Sequence, residues 1–136
     1  MRIVLDSNIL LVAIGRKSLF KPIWEAFING RYKLIVSDDI ILEYEEILQQ
    51  RSAEGVAEII MEIIVESPEV IYQQIYYSRN MISQDPDDNK FFDIAVAGNA
   101  DFLVTNDAHF NVVKQSLFPT VKVISANEFL ELLKDQ

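Results

Sequence analysis

Asp6 and Asp107 close two apolar runs of the same kind. Met1-Arg-Ile-Val-Leu-Asp-Ser-Asn8 reads as a short buried strand ending in a carboxylate, and Asp101-Phe-Leu-Val-Thr-Asn-Asp107 repeats the pattern near the other end of the chain. Carboxylates at strand C-terminal ends, in a chain with helices between the strands, point to one crevice on a parallel sheet. Like charges brought together cost energy unless protons or a cation neutralise them. A hard divalent cation suits clustered carboxylate oxygens at neutral pH. These residues therefore suggest metal-assisted chemistry, with phosphate chemistry as the leading reaction class.

Other acidic residues compete for the same crevice. Glu43 falls in the second turn of a helix whose apolar side is Ile40, Tyr44, Ile47 and Leu48, which puts it at the rim of that side. Glu45 and Glu46 are alternatives of the same type. Asp85, Asp87 and Asp88 crowd one short loop before a helix, more acid than helix capping needs. Asp88 is placed to turn inward with Phe91 and Ala95. Asp93 interrupts a nearly all-apolar helix and either reaches the crevice edge or faces solvent. Thr105 offers a hydroxyl to a carboxylate or a water, and Ser7 and Asn8 are placed to orient Asp6. His109 is the single histidine, so neither a zinc site nor a histidine pair for acid–base work is available.

The elements that must position these groups alternate. Strands are expected at Arg2 to Leu5, Tyr32 to Val36, Val70 to Tyr72, Phe102 to Thr105 and Val121 to Ile124. A helix is expected to begin near Ile9. Another runs from Phe20 to Asn29, with Ile23, Trp24, Phe27 and Ile28 inward and Gly30 as its stop. Ser37 caps a helix reaching Gln50, with Asp38 and Asp39 in its electropositive first turn. Further helices span Ala53 to Glu66 and Lys90 to Ala97, the latter ended by Gly98, and Ser125 with Glu128 forms a capping box for the last. Continuous apolar strands between helices predict an α/β fold, a single domain over residues 1–136 with a mostly parallel central sheet flanked by helices.

Composition narrows the classes. Half of the 136 residues are apolar, enough for a core, and the absence of cysteine excludes disulfides and thiolate chemistry. Neither a signal peptide nor an apolar run of membrane-spanning length is apparent, so a cytoplasmic protein without a membrane partner is expected. Glycine-rich phosphate loops, a serine elbow and an Asp two residues after Asp6 are all missing. Twelve basic against twenty-one acidic residues, a net charge of −9, oppose generic polyanion binding. Arg16, Lys17, Lys21, Arg31 and Lys33 give the first quarter a modest basic bias.

Four segments together carry a resemblance. They are Ile3-Val-Leu-Asp-Ser-Asn8, Ser37-Asp-Asp-Ile-Ile-Leu-Glu43, Asp85-Pro-Asp-Asp-Asn-Lys-Phe91 with Ala95-Val-Ala-Gly-Asn-Ala-Asp101, and Leu103-Val-Thr-Asn-Asp107. In this order the chain resembles the PIN domain family, found in bacterial and archaeal toxin–antitoxin ribonucleases. The Asp-Pro-Asp-Asp-Asn form resembles a subgroup labelled as toxin components. The resemblance implies a three-layer α/β/α fold and a Mg²⁺- or Mn²⁺-dependent endoribonuclease. It puts the four acidic positions on Asp6, Glu43, Asp88 and Asp107, as catalytic residues and metal ligands; Asn8, Asp85, Asp93 and Thr105 are candidate helpers from the residue pattern itself. It also implies an RNA substrate, a homodimer and, for a toxin, an antitoxin partner. His109 stands where family members often have another acidic residue.

Two other classes compete. One is a non-catalytic interaction or scaffold module with a vestigial acidic cation site, in which the Ile- and Val-rich helix Ala53 to Glu66 is the contact surface. The other is a structure-specific deoxyribonuclease, which the shortness of the chain disfavours.

Overall fold

Strand β1 (Arg2–Leu5) sits at the centre of the sheet because its residues can be buried on both sides. Ile3, Val4 and Leu5 point alternately to opposite faces, yet none is more than 2% exposed, so both faces are covered. The computed structural model describes residues 1–74, 89–107 and 121–135. Five strands pair in the order β3-β2-β1-β4-β5, where β2 is Lys33–Val36, β3 Val70–Tyr72, β4 Phe102–Val104 and β5 Val123–Ile124. All four pairings are parallel. From β1 the chain builds outward to β2 and β3, then β4 returns to the other side of β1. The order therefore reverses between β1 and β4, which opens a crevice at their C-terminal ends. Register aligns Leu5 with Val104, and the Asp6 N–H donates to the Val104 carbonyl at 3.0 Å, carrying the ladder one residue further.

The helices follow local rules. α1 (Ser7–Ala13) begins at Ser7, two residues before the expected start. α2 (Lys21–Ile28) has Pro22 in its first turn, where a missing N–H costs nothing. Gly30, at φ +74°, ends α2 in a Schellman motif: Arg31 N–H donates to Ala26 O at 2.9 Å and Gly30 N–H to Phe27 O at 3.0 Å. Ile28, expected inward, is 51% exposed, because the buried stripe runs through Ile23, Ala26 and Phe27 instead. α3 (Asp38–Arg51) is capped by Ser37, whose Oγ accepts from Ile40 N–H at 3.2 Å. Ile40, Tyr44 and Leu48 form its buried stripe, with Ile47 only half-buried. α4 (Val56–Glu66) starts three residues later than expected and buries Ala57, Ile60, Met61 and Ile64 at helical spacing.

α5 (Asn89–Ala97) packs on β1, β2 and β4. Phe91, Phe92, Ile94 and Ala95 are all buried, as in a helix apolar all round. Asp93 is buried too, at 6% exposure, so it does not face solvent. Gly98, the expected terminator, has a different task. A β-carbon there would lie 2.9 Å from Ile35 Cγ2, so glycine permits the helix end to approach β2. The left-handed residue is Asn99, at φ +53°; its N–H donates to Val96 O and that of Ala100 to Ala95 O, a second Schellman motif. α6 (Ala126–Lys134) carries the expected Ser125–Glu128 capping box and packs on α2. There Phe129 meets Tyr32 edge-on, with ring centroids 5.3 Å apart. No described helix is long and apolar enough to cross a membrane.

Candidate active site

Asp6 follows β1 and Asp107 follows β4 three residues beyond its end, one on each side of the strand-order reversal. Asp6 is the residue before α1, yet its carboxylate does not cap that helix. It turns to Thr105, whose hydroxyl donates to Asp6 Oδ2 at 2.8 Å. The same Thr105 oxygen accepts the Asp107 N–H at 3.0 Å. One buried hydroxyl, 4% exposed, therefore ties both strand exits together.

Asp6 is 5% exposed. Its pKa is raised above the ordinary 3.8, first by burial and then by the charges of Asp107 and Glu43, against the lowering effect of the Thr105 hydrogen bond. The charges of Asp107 and Glu43 thus reach Asp6 through space.

Glu43 reaches this region because α3 is pinned to β1 one residue further on. Tyr44 is fully buried and its hydroxyl donates to the Leu5 carbonyl at 2.6 Å. Ser7 donates its hydroxyl to Glu43 Oε2, rather than orienting Asp6 as expected. Lys90 Nζ lies 2.9 Å from Glu43 Oε1. Both Glu43 oxygens are thereby held, from α1 and from α5. Asn8 is exposed and accepts from Arg51 Nη1 at 3.4 Å. Asp85 and Asp88 lie outside the described residues, as does His109. Among the described residues no group of three or more acidic or histidine side chains is gathered closely enough to hold one metal ion.

A cleft of about 270 Å³ opens beside Asp6 and Asp107. Its further lining is Asn8, Ile9, Val12, Phe20 and Asn106. Asp93 is not part of this lining. Of the early basic residues, Arg16 and Lys17 are exposed, Lys33 pairs with Glu69 at 2.7 Å, and Arg31 donates to the Leu133 carbonyl.

The PIN domain family model matches residues 2–109, four fifths of the chain and the whole span from Asp6 to Asp107. The chain belongs to the PIN domain family. No curated protein sequence shows a significant match. Among solved structures, this PIN domain is similar to a chain of VapBC2 from Rickettsia felis bound to a DNA fragment from their promoter. The TM-score is 0.61 at 20% identity, over 92% of this chain and 98% of that one. It is similar to Mycobacterium tuberculosis VapC20, a sarcin–ricin loop cleaving toxin, with a TM-score of 0.58 at 12% identity over 82% and 94%. It is also similar to the PIN domain endonuclease Utp24, with a TM-score of 0.55 at 14% identity over 91% and 84%. At these identities the likeness is one of fold.

Sequence reasoning missed two participants in this PIN domain. Lys90 carried a signal, as a cation immediately before the nearly all-apolar run Phe91-Phe-Asp-Ile-Ala-Val-Ala97. Phe20 carried none, since an aromatic opening an amphipathic helix reads as core.

Proposed function

We propose that this PIN domain is a Mg²⁺- or Mn²⁺-dependent endoribonuclease that hydrolyses RNA phosphodiester bonds, and that it is the toxin of a toxin–antitoxin pair. The observation that carries the reading is the Thr105 bridge, which ties Asp6 to the Asp107 backbone at the strand-order reversal, with the charge of Glu43 felt at Asp6. The fold likeness to VapC20, to a chain of VapBC2 and to Utp24 supports it.

The donor set is all hard oxygen, and a buried aspartate with a raised pKa gains from a cation close by. In this reading Asp6, Asp107 and, by resemblance, Asp88 hold the ion. Thr105 holds the Asp6 carboxylate through Oδ2, which would fix its orientation toward a bound cation. Glu43 positions the attacking water or a second ion, and direct ligation by Glu43 requires its pair with Lys90 to open. Asp85 and Asp93 are at most helpers. When bound, the cation activates water and offsets charge on the phosphate oxygens. Water rather than a ribose hydroxyl is the nucleophile, because one histidine cannot supply both an acid and a base. The reading carries with it a cytoplasmic location, an antitoxin partner and a homodimer. For the homodimer, Leu42 on α3 and Ile59, Ile63 and Val65 on α4 supply exposed apolar surface.

The deciding experiment is incubation of purified protein with a mixed RNA pool. Fragments that form with Mn²⁺ or Mg²⁺, vanish with chelator and vanish in Asp6→Asn and Asp107→Asn support the reading. Intact RNA under all ion conditions overturns it. A second reading, a non-catalytic module with a cation site, draws on the doubly held Glu43. It expects ion binding without cleavage.

A further inference from the structure

The cleft beside Asp6 and Asp107 is more apolar than a cation and a phosphate need. Val12 stays 38% exposed, and Phe20 packs against the core but is only partly buried, so both keep surface on the cleft. Together with Ile9 they make an apolar wall in the same cleft as the two carboxylates. A hydrated ion and a phosphodiester gain nothing from such a wall, whereas a flat ring does.

Two amides complete the lining. Asn106 Oδ1 accepts from Ala126 N–H at 3.0 Å, and Asn8 Oδ1 accepts from Arg51. With these oxygens turned to protein donors, the NH₂ ends remain, and they seek acceptors. The volume, about 270 Å³, gives room for a ring with its sugar.

We propose that this wall seats the nucleobase beside the phosphodiester held at Asp6 and Asp107. The base lies against Phe20 and Val12, and its carbonyl or ring-nitrogen acceptors face the Asn106 and Asn8 amides. The inference rests on the RNA-hydrolase reading and deepens it. It also answers the charge problem. A chain of net charge −9 gains little from phosphate contacts, but stacking on an aromatic ring is indifferent to net charge and tolerant of base identity.

The test uses short ribo-oligonucleotides that carry 2-aminopurine or an abasic site at one position, titrated with Ca²⁺ in place of Mg²⁺. Wild type quenches the 2-aminopurine emission and binds the base-bearing strand roughly tenfold more tightly than the abasic one. That ratio stays constant between low and moderate salt while both affinities fall. Phe20→Ala brings the ratio to near one and Phe20→Trp keeps it. Val12→Ser, at a site already exposed, lowers it with the fold intact by circular dichroism. Equal affinity of wild type for the two strands overturns the proposal. So does a Phe20→Ala variant that weakens both strands alike, or one that keeps the wild-type ratio, the result expected if the wall instead takes an apolar side chain of a protein partner. The same strands are then exposed to Mn²⁺. Base-selective binding without cleavage removes the hydrolase reading and leaves the base subsite, whereas cleavage with a ratio of one does the reverse.

Discussion

Lys90 and Glu43 form an ion pair 2.9 Å long between α5 and α3, with 25% and 20% of their side chains exposed. Ser7 takes the other Glu43 oxygen, so this carboxylate is already neutralised. An incoming cation that uses Glu43 must compete with an ammonium. Lys90→Met is therefore expected to bind Mn²⁺ more tightly than wild type in calorimetry, by roughly fivefold, the worth of a partly exposed pair. It is also expected to lose about 1 kcal/mol of stability in urea without metal. Weaker Mn²⁺ binding by the variant contradicts this competition.

Asp6 is expected to weaken the fold when ionised. Its pKa is raised above 3.8 by burial, then by Asp107 and Glu43. Between 3.8 and the raised folded value, the folded state keeps a proton that the unfolded state has lost, so stability falls as pH rises through this window. Below 3.8 both states are protonated and the penalty vanishes. Asp6→Asn keeps an acceptor for Thr105 and removes the charge. In urea melts without metal it should be more stable than wild type at pH 7, with the gain shrinking as the pH approaches 3.8. Mn²⁺ should raise the melting temperature of wild type more than that of the variant. A gain that does not change with pH assigns the effect to something other than this titration.

Thr105 serves two partners with one oxygen. Thr105→Val removes the donor to Asp6 and leaves the Asp107 N–H without its acceptor. The expected loss is about 1–3 kcal/mol in urea at pH 7, together with a large fall in cleavage rate. Thr105→Ser restores the hydroxyl and should recover most of both. Equal damage from Val and Ser points to the methyl group and packing instead.

Gly98→Ala places a methyl group 2.9 Å from Ile35 Cγ2 and 3.0 Å from the Ile94 carbonyl oxygen. One neighbour is a core side chain and the other is backbone, so neither yields easily. A loss of about 1–3 kcal/mol is expected. Asn99→Gly, at the left-handed position next to it, should be neutral or slightly stabilising. If Ala at 98 is tolerated in a thermal melt, the close approach of α5 to β2 is not needed.

Local rules made much of the fold readable. Strand runs buried on both faces, the Ser37 cap and the Ser125–Glu128 box each depend on residues at most a few positions apart. The alternation of such elements predicted a parallel sheet, and all described pairings are parallel. The four motifs also point to the PIN domain family, and the matched span bears that out. Local rules failed at the end of α5. Gly98 reads as the stop of α5, yet the left-handed turn falls on Asn99 and Gly98 serves the close approach to Ile35.

By itself the sequence determined which residue types end which strands, because periodicity and capping are properties of a short stretch of chain. Only the tertiary structure decided which groups those residues touch. The Thr105 that holds Asp6 is ninety-nine positions away, and the two meet because β1 and β4 are adjacent in register. Ser7 serves Glu43 rather than its neighbour Asp6, since α3 is locked to β1 through Tyr44. Asp93 is buried because α5 packs on β1, β2, β4 and α3, which its own periodicity does not state. Phe20 lines the cleft with Ile9 and Val12 because α2 packs beside α1. Each of these depends on the angle and register between elements far apart in the chain, and those are set by the packing of whole helices and strands rather than by any local run of residues.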